Sequence, residues 1–299
     1  MRTIIICGAT ATGKSDLAVA LAQEIGGEIV NADSMQVYEG MDIGTAKLTV
    51  AERKGITHHL LDVLTVRQDS TVAWYQEIAR KTIDEIHQRG QNAIIVGGTG
   101  LYIKAIVDDL NFPDTDPVIR SRLELEAIEQ GSAVLFARLE KLDPAAALAI
   151  DRANTRRIIR ALEVIEITGQ PFTANLPREA SSRYPHALHF GLSQDRESLD
   201  VRVSTRVDAM WESGLVEEVE GLALTGLREG VTAQKALGYA QVLQMMDGLL
   251  TSDQAREETK RVTRQYIRRQ DTWFSRDGRI HWLGHYENRL EKILAQLNS

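Results

Sequence analysis

The chain has 299 residues, of which 26% are charged and 43% are hydrophobic, and its formal net charge is −7. This length predicts one or two domains with a sizeable buried core. No apolar run reaches the roughly 18 residues of a membrane span, and the first strand follows Met1-Arg2 so closely that no signal peptide is expected. The single cysteine, Cys7, has no partner for an internal disulfide bond. We therefore expect a cytoplasmic protein without a membrane partner, in which Cys7 is a core thiol.

The first predicted element is an apolar strand at residues 3–7, which runs into a glycine-rich loop. The loop matches the phosphate-binding pattern G-x-x-x-x-G-K-[ST] and consists of Gly8, Ala9, Thr10, Ala11, Thr12, Gly13, Lys14 and Ser15. A helix is predicted over residues 14–25 by apolar residues at helical spacing. In this setting backbone amides surround phosphate oxygens, Lys14 reaches the outer phosphates and the Ser15 hydroxyl holds Mg²⁺. An accidental glycine-rich turn is the alternative, but a strand and a helix on either side favour a diphosphate or polyphosphate site.

Strand and helix continue to alternate through the first hundred residues. A short strand is predicted at 28–31, a helix at about 70–89, and a strand at 92–96. This order predicts an α/β protein with a P-loop NTPase-like parallel sheet flanked by helices. Asp33 and Thr99 each follow the carboxyl end of a strand, as the P-loop does, and ligands of open α/β sheets bind at that edge.

Each of these polar residues also has a purely structural interpretation. Asp33 is a candidate general base or a turn aspartate, and Thr99 presents its hydroxyl to a ligand or caps the next helix. The strand before Thr99 lacks the aspartate of a Walker B strand, which weakens an ATPase interpretation. His58 and His59 have no partner set with zinc-ligand spacing, so structural roles are favoured over a metal.

After residue 111 the alternation of predicted strands and helices ends. The segment 112–117 (FPDTDP) predicts a linker, and the sequence to Pro171 is helical throughout, with Asp143 and Asn154 as predicted helix caps. Prolines then mark the exit, at Pro171, Pro177 and Pro185. A strand at 186–192 and long helices follow. We therefore expect a core of residues 1–111 and 186–299 that is interrupted by a mainly helical insertion domain at 112–185.

Two basic clusters contrast with the acidic net charge. One is a short helical stretch with four arginines, namely Arg152, Arg156, Arg157 and Arg160. The other, residues 256–279, has eight basic residues against four acidic ones. Such clusters indicate a polyanionic partner. Within the second, Arg261, Arg264 and Arg268 share a helix face; phosphate contact is one interpretation, and a solvated charged face is the favoured one.

Eight motifs occur in one order along nearly the whole chain: the P-loop, DSMQVY at 33–38, GTAK at 44–47, HHLLDV at 58–63, GGTGLY at 97–102, RRIIRALE at 156–163, LGY at 237–239 and RRQDTWF at 268–274. In these motifs the chain resembles the tRNA dimethylallyltransferase family, also called tRNA isopentenyltransferases. Ala9 stands where the family usually has proline, and Thr12 where serine or glycine is common. Neither side chain is needed for an amide cradle. Eukaryotic members carry a C-terminal zinc finger, so this chain resembles the bacterial type.

The resemblance implies transfer of a dimethylallyl group from dimethylallyl diphosphate to N6 of the adenosine at position 37 of tRNA, next to the anticodon. It implies that the P-loop holds the diphosphate with Mg²⁺ on Ser15, that Arg206 neutralises charge, that Asp33 is the general base, and that Thr99 orients Asp33 or the diphosphate. It places the following residues against the anticodon stem-loop: Asp33, Ser34, Met35, Gln36, Thr99, Arg120, Arg156, Arg157, Ile158, Ile159, Arg160, Gln234, Lys235, Ala236, Leu237, Gly238 and Tyr239. We expect a monomer.

Three other functions fit parts of the sequence. A P-loop kinase of a small metabolite would use Asp33 to activate a hydroxyl and would bind ATP. A prenyltransferase acting on free adenine nucleotides is chemically close, and a nucleotide-regulated RNA-binding protein would carry out no chemistry. The basic clusters and the long C-terminal half favour RNA as the partner, and the missing Walker B aspartate disfavours the kinase.

Overall fold

The computed structural model describes residues 1–175 and 182–298. Six strands form one parallel sheet: β1 (Thr3–Gly8), β2 (Gly27–Asn31), β3 (His58–His59), β4 (Asn92–Gly97), β5 (Leu188–Leu192) and β6 (Ile280–Leu283). Their order is β3-β2-β4-β1-β5-β6, so the strand that leads into the P-loop lies in the middle of the sheet. The predicted α/β architecture is confirmed. The two-residue strand β3 and the edge strand β6 were not predicted.

Helices surround the sheet and fill the middle of the sequence. In chain order they are α1 (Lys14–Ile25), α2 (Val72–Gln88), α3 (Gly100–Val107), α4 (Pro117–Gln130), α5 (Ser132–Leu142), α6 (Pro144–Ala149), α7 (Thr155–Thr168), α8 (Arg196–Glu212), α9 (Leu215–Leu224), α10 (Tyr239–Met246), α11 (Ser252–Phe274) and α12 (Arg289–Leu297). Short 3₁₀ helices lie at Phe172–Asn175 and Ala233–Lys235.

The central strand is apolar along its whole length because both of its faces are covered. All six residues of β1 are buried. Ile4 and Ile6 pack with Leu21 of α1, Phe190 of β5 and Ile293 of α12 in one cluster. A strand buried on both faces loses the alternation of polar and apolar residues, and this is why it reads as a continuous apolar run in the sequence.

The chain divides into two compact units, one formed by Met1–Ile106 with His186–Ser299 and the other by Val107–Pro185. The second unit begins at residue 107, earlier than the 112 expected from the linker composition. The Val107 carbonyl accepts a hydrogen bond from the Arg183 amide at 2.8 Å, and Asp108 pairs with Ser182 in an antiparallel bridge. This pairing joins residues 76 positions apart, so composition alone could not place the boundary. Pro177 lies outside the described residues.

The second unit is helical, and two of its helices, α6 and α7, begin at the predicted caps. Asp143 Oδ1 accepts a hydrogen bond from the Ala146 amide at the start of α6, and Asn154 Oδ1 accepts one from the Arg157 amide at the start of α7. Both predicted caps are confirmed. Part of the predicted linker caps α4 instead, because the Asp116 carboxylate accepts hydrogen bonds from Val118 and Ile119. Leu123, Phe136 and Leu162 belong to the core of this unit.

Glycine at position 97 is required by the close approach of two strand ends. A Cβ atom on Gly97 would lie 2.1 Å from the Ala32 carbonyl oxygen, and backbone atoms cannot rotate away. Gly221 in α9 differs, because its Cβ would meet nothing within 4 Å. We expect Gly97→Ala to lower the free energy of unfolding by about 1–3 kcal/mol through overpacking. Gly221→Ala should raise it by about 0.5–1 kcal/mol, because alanine restricts the unfolded chain. Urea denaturation measures both, and equal effects would contradict this account.

Candidate active site

The P-loop connects the middle of the sheet to the first helix. Gly8 has φ +130°, and a Cβ there would lie 2.9 Å from the Leu192 carbonyl oxygen of the neighbouring strand β5. Gly13 has φ +86° just before α1 begins at Lys14. The Thr12 hydroxyl donates a hydrogen bond to the Ala9 carbonyl at 2.8 Å, which closes the loop on itself. The glycines and this internal bond shape the loop that leads into the helix N-terminus, where anions bind favourably.

Two cationic side chains lie beside the loop in a desolvated environment. Burial lowers the pKa of Lys14 to about 8, although the negative charge of Asp33 opposes this shift. Burial also lowers the pKa of Arg206 on α8, again against the effect of Asp33. The Lys14 ammonium donates to the Ala9 carbonyl at 2.6 Å. Burial disfavours the charged form of both side chains, and the positive charge of Arg206 also lowers the pKa of Lys14. A bound anion would therefore relieve an existing electrostatic cost.

Two cavities share part of their walls at this edge of the sheet. The larger has a volume of about 800 Å³ and is lined by Lys14, Ser15 and Arg202, among others. The smaller measures about 260 Å³ and has mainly apolar walls, with contributions from Met35, Val203, Val207, Met210 and Leu237. Asp33 and Arg206 line both cavities. The site therefore presents one cavity lined by the P-loop residues Lys14 and Ser15 and a second, mainly apolar cavity, and both include Asp33 and Arg206 in their walls.

Asp33 forms a turn and also lines the cavities. The Met35 amide donates to its Oδ1 at 2.9 Å, and the Asp33 amide donates to the Asn31 side chain at 3.0 Å. These bonds form a turn directly after β2. The turn occupies one carboxylate oxygen, while the carboxylate as a whole lines both cavities. Asp33 is thus a turn residue and a cavity residue at once.

Thr99 supports the neighbour of Asp33. Its hydroxyl accepts a hydrogen bond from the Ser34 amide at 3.1 Å and lies 3.3 Å from the Ser34 hydroxyl. Ser34 in turn lines the smaller cavity. Tyr266 of α11 lies next to Thr99. Burial and, after it, the charge of Asp33 raise the pKa of Tyr266 to about 12, against hydrogen bonds with Thr99 and Gln270 that lower it. Its hydroxyl is therefore neutral at physiological pH.

The loop after Asp33 is fixed by the buried Lys47 of the GTAK motif and by the half-buried Glu218 of α9. Lys47 of the GTAK motif is buried and donates to the Tyr38 carbonyl and to the carboxylates of Asp42 and Asp62. Glu218 of α9 accepts hydrogen bonds from the Ile43 amide at 2.9 Å and from the Tyr239 hydroxyl at 2.5 Å. These contacts hold the segment that supplies Thr45 to both cavities.

Several residues of the predicted tRNA surface are instead part of the protein interior. Ile158 and Ile159 are buried in the core of the helical unit, and Tyr239 is fully buried against Gly44. Their burial leaves no exposed side chain at these three positions, and their contact with tRNA stays a prediction. Ala236 and Gly238 are also buried, and the Gln234 amide donates to the Gly230 carbonyl within its own loop. The predicted tRNA surface includes these residues as one continuous run, whereas burial differs from one residue to the next.

Arg120 and Arg160 hold the helical unit together. Both guanidinium groups donate to Glu163 Oε2 at 2.8 Å, and Arg160 also donates to the Pro113 carbonyl at 2.6 Å. Glu163 is fully buried. Burial acts to raise the pKa of Glu163, but the hydrogen bonds from Arg160 and Arg120 outweigh it and keep that pKa below its usual range. Removal of either arginine would leave a poorly compensated buried charge.

The remaining arginines of the two basic clusters also include partnered and exposed side chains. In α11, Arg261 and Arg268 are exposed, and Arg261 pairs with Glu258, whereas Arg264 is half-buried and donates to Ser204 of α8. Within the described part of the chain, no ion pair involves the exposed side chains of Arg156 and Arg157. The other predicted contacts, Gln36, Lys235 and Leu237, line one of the cavities.

The histidines and the cysteine have structural environments. His59 pairs with Glu28, and His58 Nδ1 lies 2.9 Å from the Ile56 carbonyl oxygen. Residues 1–175 and 182–298 contain no group of three or more potential metal-ligating His, Cys, Asp or Glu side chains. Burial raises the pKa of Cys7 to about 12, so its thiol stays protonated. In the same residues no helix is both long and apolar enough to cross a bilayer.

Fold and site together define an α/β protein with a P-loop whose ligand edge carries Asp33, Arg206 and an adjoining apolar cavity. The family model described as IPP transferase matches residues 36–277, and the chain belongs to this family. It is 56% identical over 289 residues to a tRNA dimethylallyltransferase of Thermobifida fusca, covering 95% of this chain and 90% of the relative. A relative of the same name from Streptomyces griseus is 55% identical, with the same coverage.

Solved structures agree with this assignment. A tRNA isopentenylpyrophosphate transferase from Bacillus halodurans matches 99% of this chain and 95% of its own, with a TM-score of 0.73 and 37% identity. A eukaryotic dimethylallyltransferase acting on tRNA matches the whole of this chain and 79% of its own, with a TM-score of 0.86 and 27% identity.

The lowered pKa of Lys14 predicts a pH dependence of diphosphate binding. Only the protonated ammonium attracts the anion, and the bound anion raises the pKa of Lys14. Above about pH 8 binding therefore takes up a proton, and the Kd for dimethylallyl diphosphate should rise with pH by up to about tenfold per unit. Lys14→Arg is the matched control, because a guanidinium stays charged between about pH 7.5 and 9.5. Calorimetric titration without tRNA measures the Kd of the wild type and of Lys14→Arg. If the two proteins showed the same dependence of Kd on pH, Lys14 would not be the group that titrates on diphosphate binding.

Proposed function

We propose that this chain transfers a dimethylallyl group from dimethylallyl diphosphate to N6 of the adenosine at position 37 of tRNA, as a monomer in the cytoplasm. The observation that carries the proposal is that a cavity lined by the P-loop and a mainly apolar cavity share Asp33 and Arg206 in their walls. The names of its relatives support the same reaction. The first cavity suits a diphosphate, and the second suits a small hydrocarbon or a base that has left its stack.

The chemistry divides between the two sides of the site. As the bond between C1 of the dimethylallyl group and the diphosphate oxygen breaks, negative charge grows on the leaving diphosphate. Lys14, the P-loop amides and Arg206 compensate that charge. The N6 atom forms the new bond to C1, and its proton becomes acidic as it does so. Asp33 then takes the proton through the carboxylate oxygen that the turn leaves free.

The donor set around the P-loop fits Mg²⁺ better than a tightly chelated metal. Ser15 contributes a hydroxyl to the larger cavity, and the described residues hold no cluster of His, Cys, Asp or Glu that would form a complete ligand cage. Mg²⁺ usually keeps several water molecules and binds through one or two protein oxygens and substrate phosphates. We propose Ser15 as its protein ligand. The ion would neutralise charge on the leaving group.

Thr99 has a supporting role in this proposal. Its hydroxyl fixes the Ser34 amide, and Ser34 is adjacent to Asp33 in the turn after β2. Thr99 therefore aligns the base with its target. A kinase has no comparable support, because β4 ends in Gly97 without a carboxylate and the relatives carry transferase names.

The test is single-turnover transfer of a radiolabelled dimethylallyl group to tRNA. Wild-type protein should label tRNA only when Mg²⁺ is present, and labelled ATP should transfer nothing. Asp33→Asn should lose about 10²–10⁴ in rate, because asparagine cannot accept the N6 proton. Asparagine still accepts the Met35 amide bond and so preserves the turn. Binding of tRNA and of diphosphate to this variant should stay close to wild type. Near-normal transfer by Asp33→Asn would remove Asp33 as the base.

We propose that the helical unit contributes to tRNA affinity through Arg156 and Arg157. Their side chains are exposed, whereas Arg120 and Arg160 are engaged by Glu163. Arg157→Ala should therefore reduce the slope of log K against log salt concentration by about one. Arg160→Ala should mainly lower thermal stability.

The matched control for this salt titration is Arg89→Ala. Arg89 pairs with Glu28, near the amino end of β2 and so at the opposite edge of the sheet from the P-loop. Its removal should leave the slope unchanged. A wild-type slope near zero would exclude an electrostatic RNA surface.

A further inference from the structure

One face of α11 lies against the ligand edge of the sheet. Tyr266, Gln270 and Trp273 follow one another at i, i+4 and i+7 and so project from the same side of the helix. Tyr266 reaches Thr99, Trp273 packs on Gly100, and Gln270 lies between them. Gln270 is only 4% exposed. A neutral polar side chain at this depth must have both its donor and its acceptor satisfied.

The donor and the acceptor of Gln270 are satisfied by the segments that follow two different strands. Its Oε1 accepts a hydrogen bond from the Thr10 amide of the P-loop at 3.0 Å, and its Nε2 donates to the Gly98 carbonyl at 2.8 Å. Thr10 follows β1, and Gly98 follows β4. One side chain therefore connects the loop that faces the diphosphate to the turn that carries Thr99.

Glycine at positions 98 and 100 leaves space for side chains of α11. A Cβ on Gly98 would lie 2.3 Å from Gln270 Nε2, and one on Gly100 would lie 2.1 Å from the Trp273 ring. Both positions are within hard-sphere overlap. The absence of a side chain at Gly98 thus allows the Gln270 amide to reach the Gly98 carbonyl.

We infer that Gln270 is a positioning residue for the transfer reaction, and this rests on the function proposed above. It fixes the P-loop relative to the turn at Gly97–Gly100, and through Thr99 and Ser34 it fixes the distance from the diphosphate to Asp33. The side-chain amide of glutamine carries its acceptor and its donor on separate atoms and is uncharged, so it can accept from Thr10 and donate to Gly98 at once. Reacting atoms must be aligned closely, and a shift of about 1 Å can lower the rate about 10²-fold.

The test replaces Gln270 by methionine, which keeps the length of the side chain and removes both hydrogen bonds. Single-turnover transfer by Gln270→Met should fall about 10²-fold, while the Kd for tRNA changes less than about twofold. Gln265→Met is the matched control, because Gln265 lies on the same helix and is exposed. Its rate and affinity should equal those of wild type. A global structural defect would lower the unfolding midpoint and tRNA binding together with the rate.

A double-mutant cycle with Thr99→Ala separates positioning from general damage. If Gln270 acts through the Thr99 turn, the double variant should be about as slow as the slower single variant, because one alignment is lost in each. Multiplied effects would overturn the inference. Gly98→Ala is a second route to the same result, since its Cβ displaces the Gln270 amide; it should slow transfer and spare tRNA binding.

Two outcomes remain distinguishable. If wild-type protein transfers no label to tRNA, the proposed function fails. If wild-type protein transfers normally and a folded Gln270→Met variant does so at an equal rate, only the inference about Gln270 is overturned.

Discussion

The site depends on the close approach of backbone segments at the carboxyl edge of the sheet. Gly8 lies against Leu192, Gly97 against Ala32, and Gly98 against the Gln270 amide, each at a distance that no Cβ could occupy. Glycine at these positions permits the close approach of the segments, because a Cβ would force them to shift. Hydrogen bonds of Gln270 to Thr10 and Gly98, and of Thr99 to Ser34, then connect the P-loop, the Thr99 turn and the Asp33 turn. A site built on strand ends in this way can align two substrates without reorganising at the moment of reaction.

The electrostatics of this edge suit an anionic ligand. Lys14 and Arg206 are placed where burial lowers the pKa of each, and Asp33 is the largest influence that opposes the effect of burial on both. Such an arrangement is costly for the unliganded protein. A diphosphate would supply the missing negative charge, so part of its binding energy comes from relieving a cost already present. The same cations would then face the charge that develops on the leaving group, which connects affinity to chemistry in the proposed reaction.

The basic clusters of the sequence contain two kinds of residue with different physical functions. Arg120 and Arg160 compensate the buried carboxylate of Glu163 and stabilise the helical unit. Arg156 and Arg157 precede Arg160 in the same helix but are exposed. Arg160 lies three residues before the buried Glu163 and reaches its carboxylate, whereas Arg156 and Arg157 have no acidic residue three or four positions further along the helix. Composition therefore indicates that a surface is basic but not which of its cations are free to bind a polyanion.

The sequence by itself determined the parallel α/β core, the P-loop and the identity of the ligand edge. Local rules suffice for these features, since Gly8, Gly13 and Lys14 lie within one loop and the strand and helix periods flank it. It also identified Asp33 and Thr99 as candidates from their positions after strands. Only the tertiary structure decided that Tyr239 and Ile158 are core residues, that the second unit begins at Val107, and that Gln270 connects Thr10 to Gly98. These depend on contacts between residues far apart in the chain, and no local pattern encodes which distant backbone groups a buried side chain will meet.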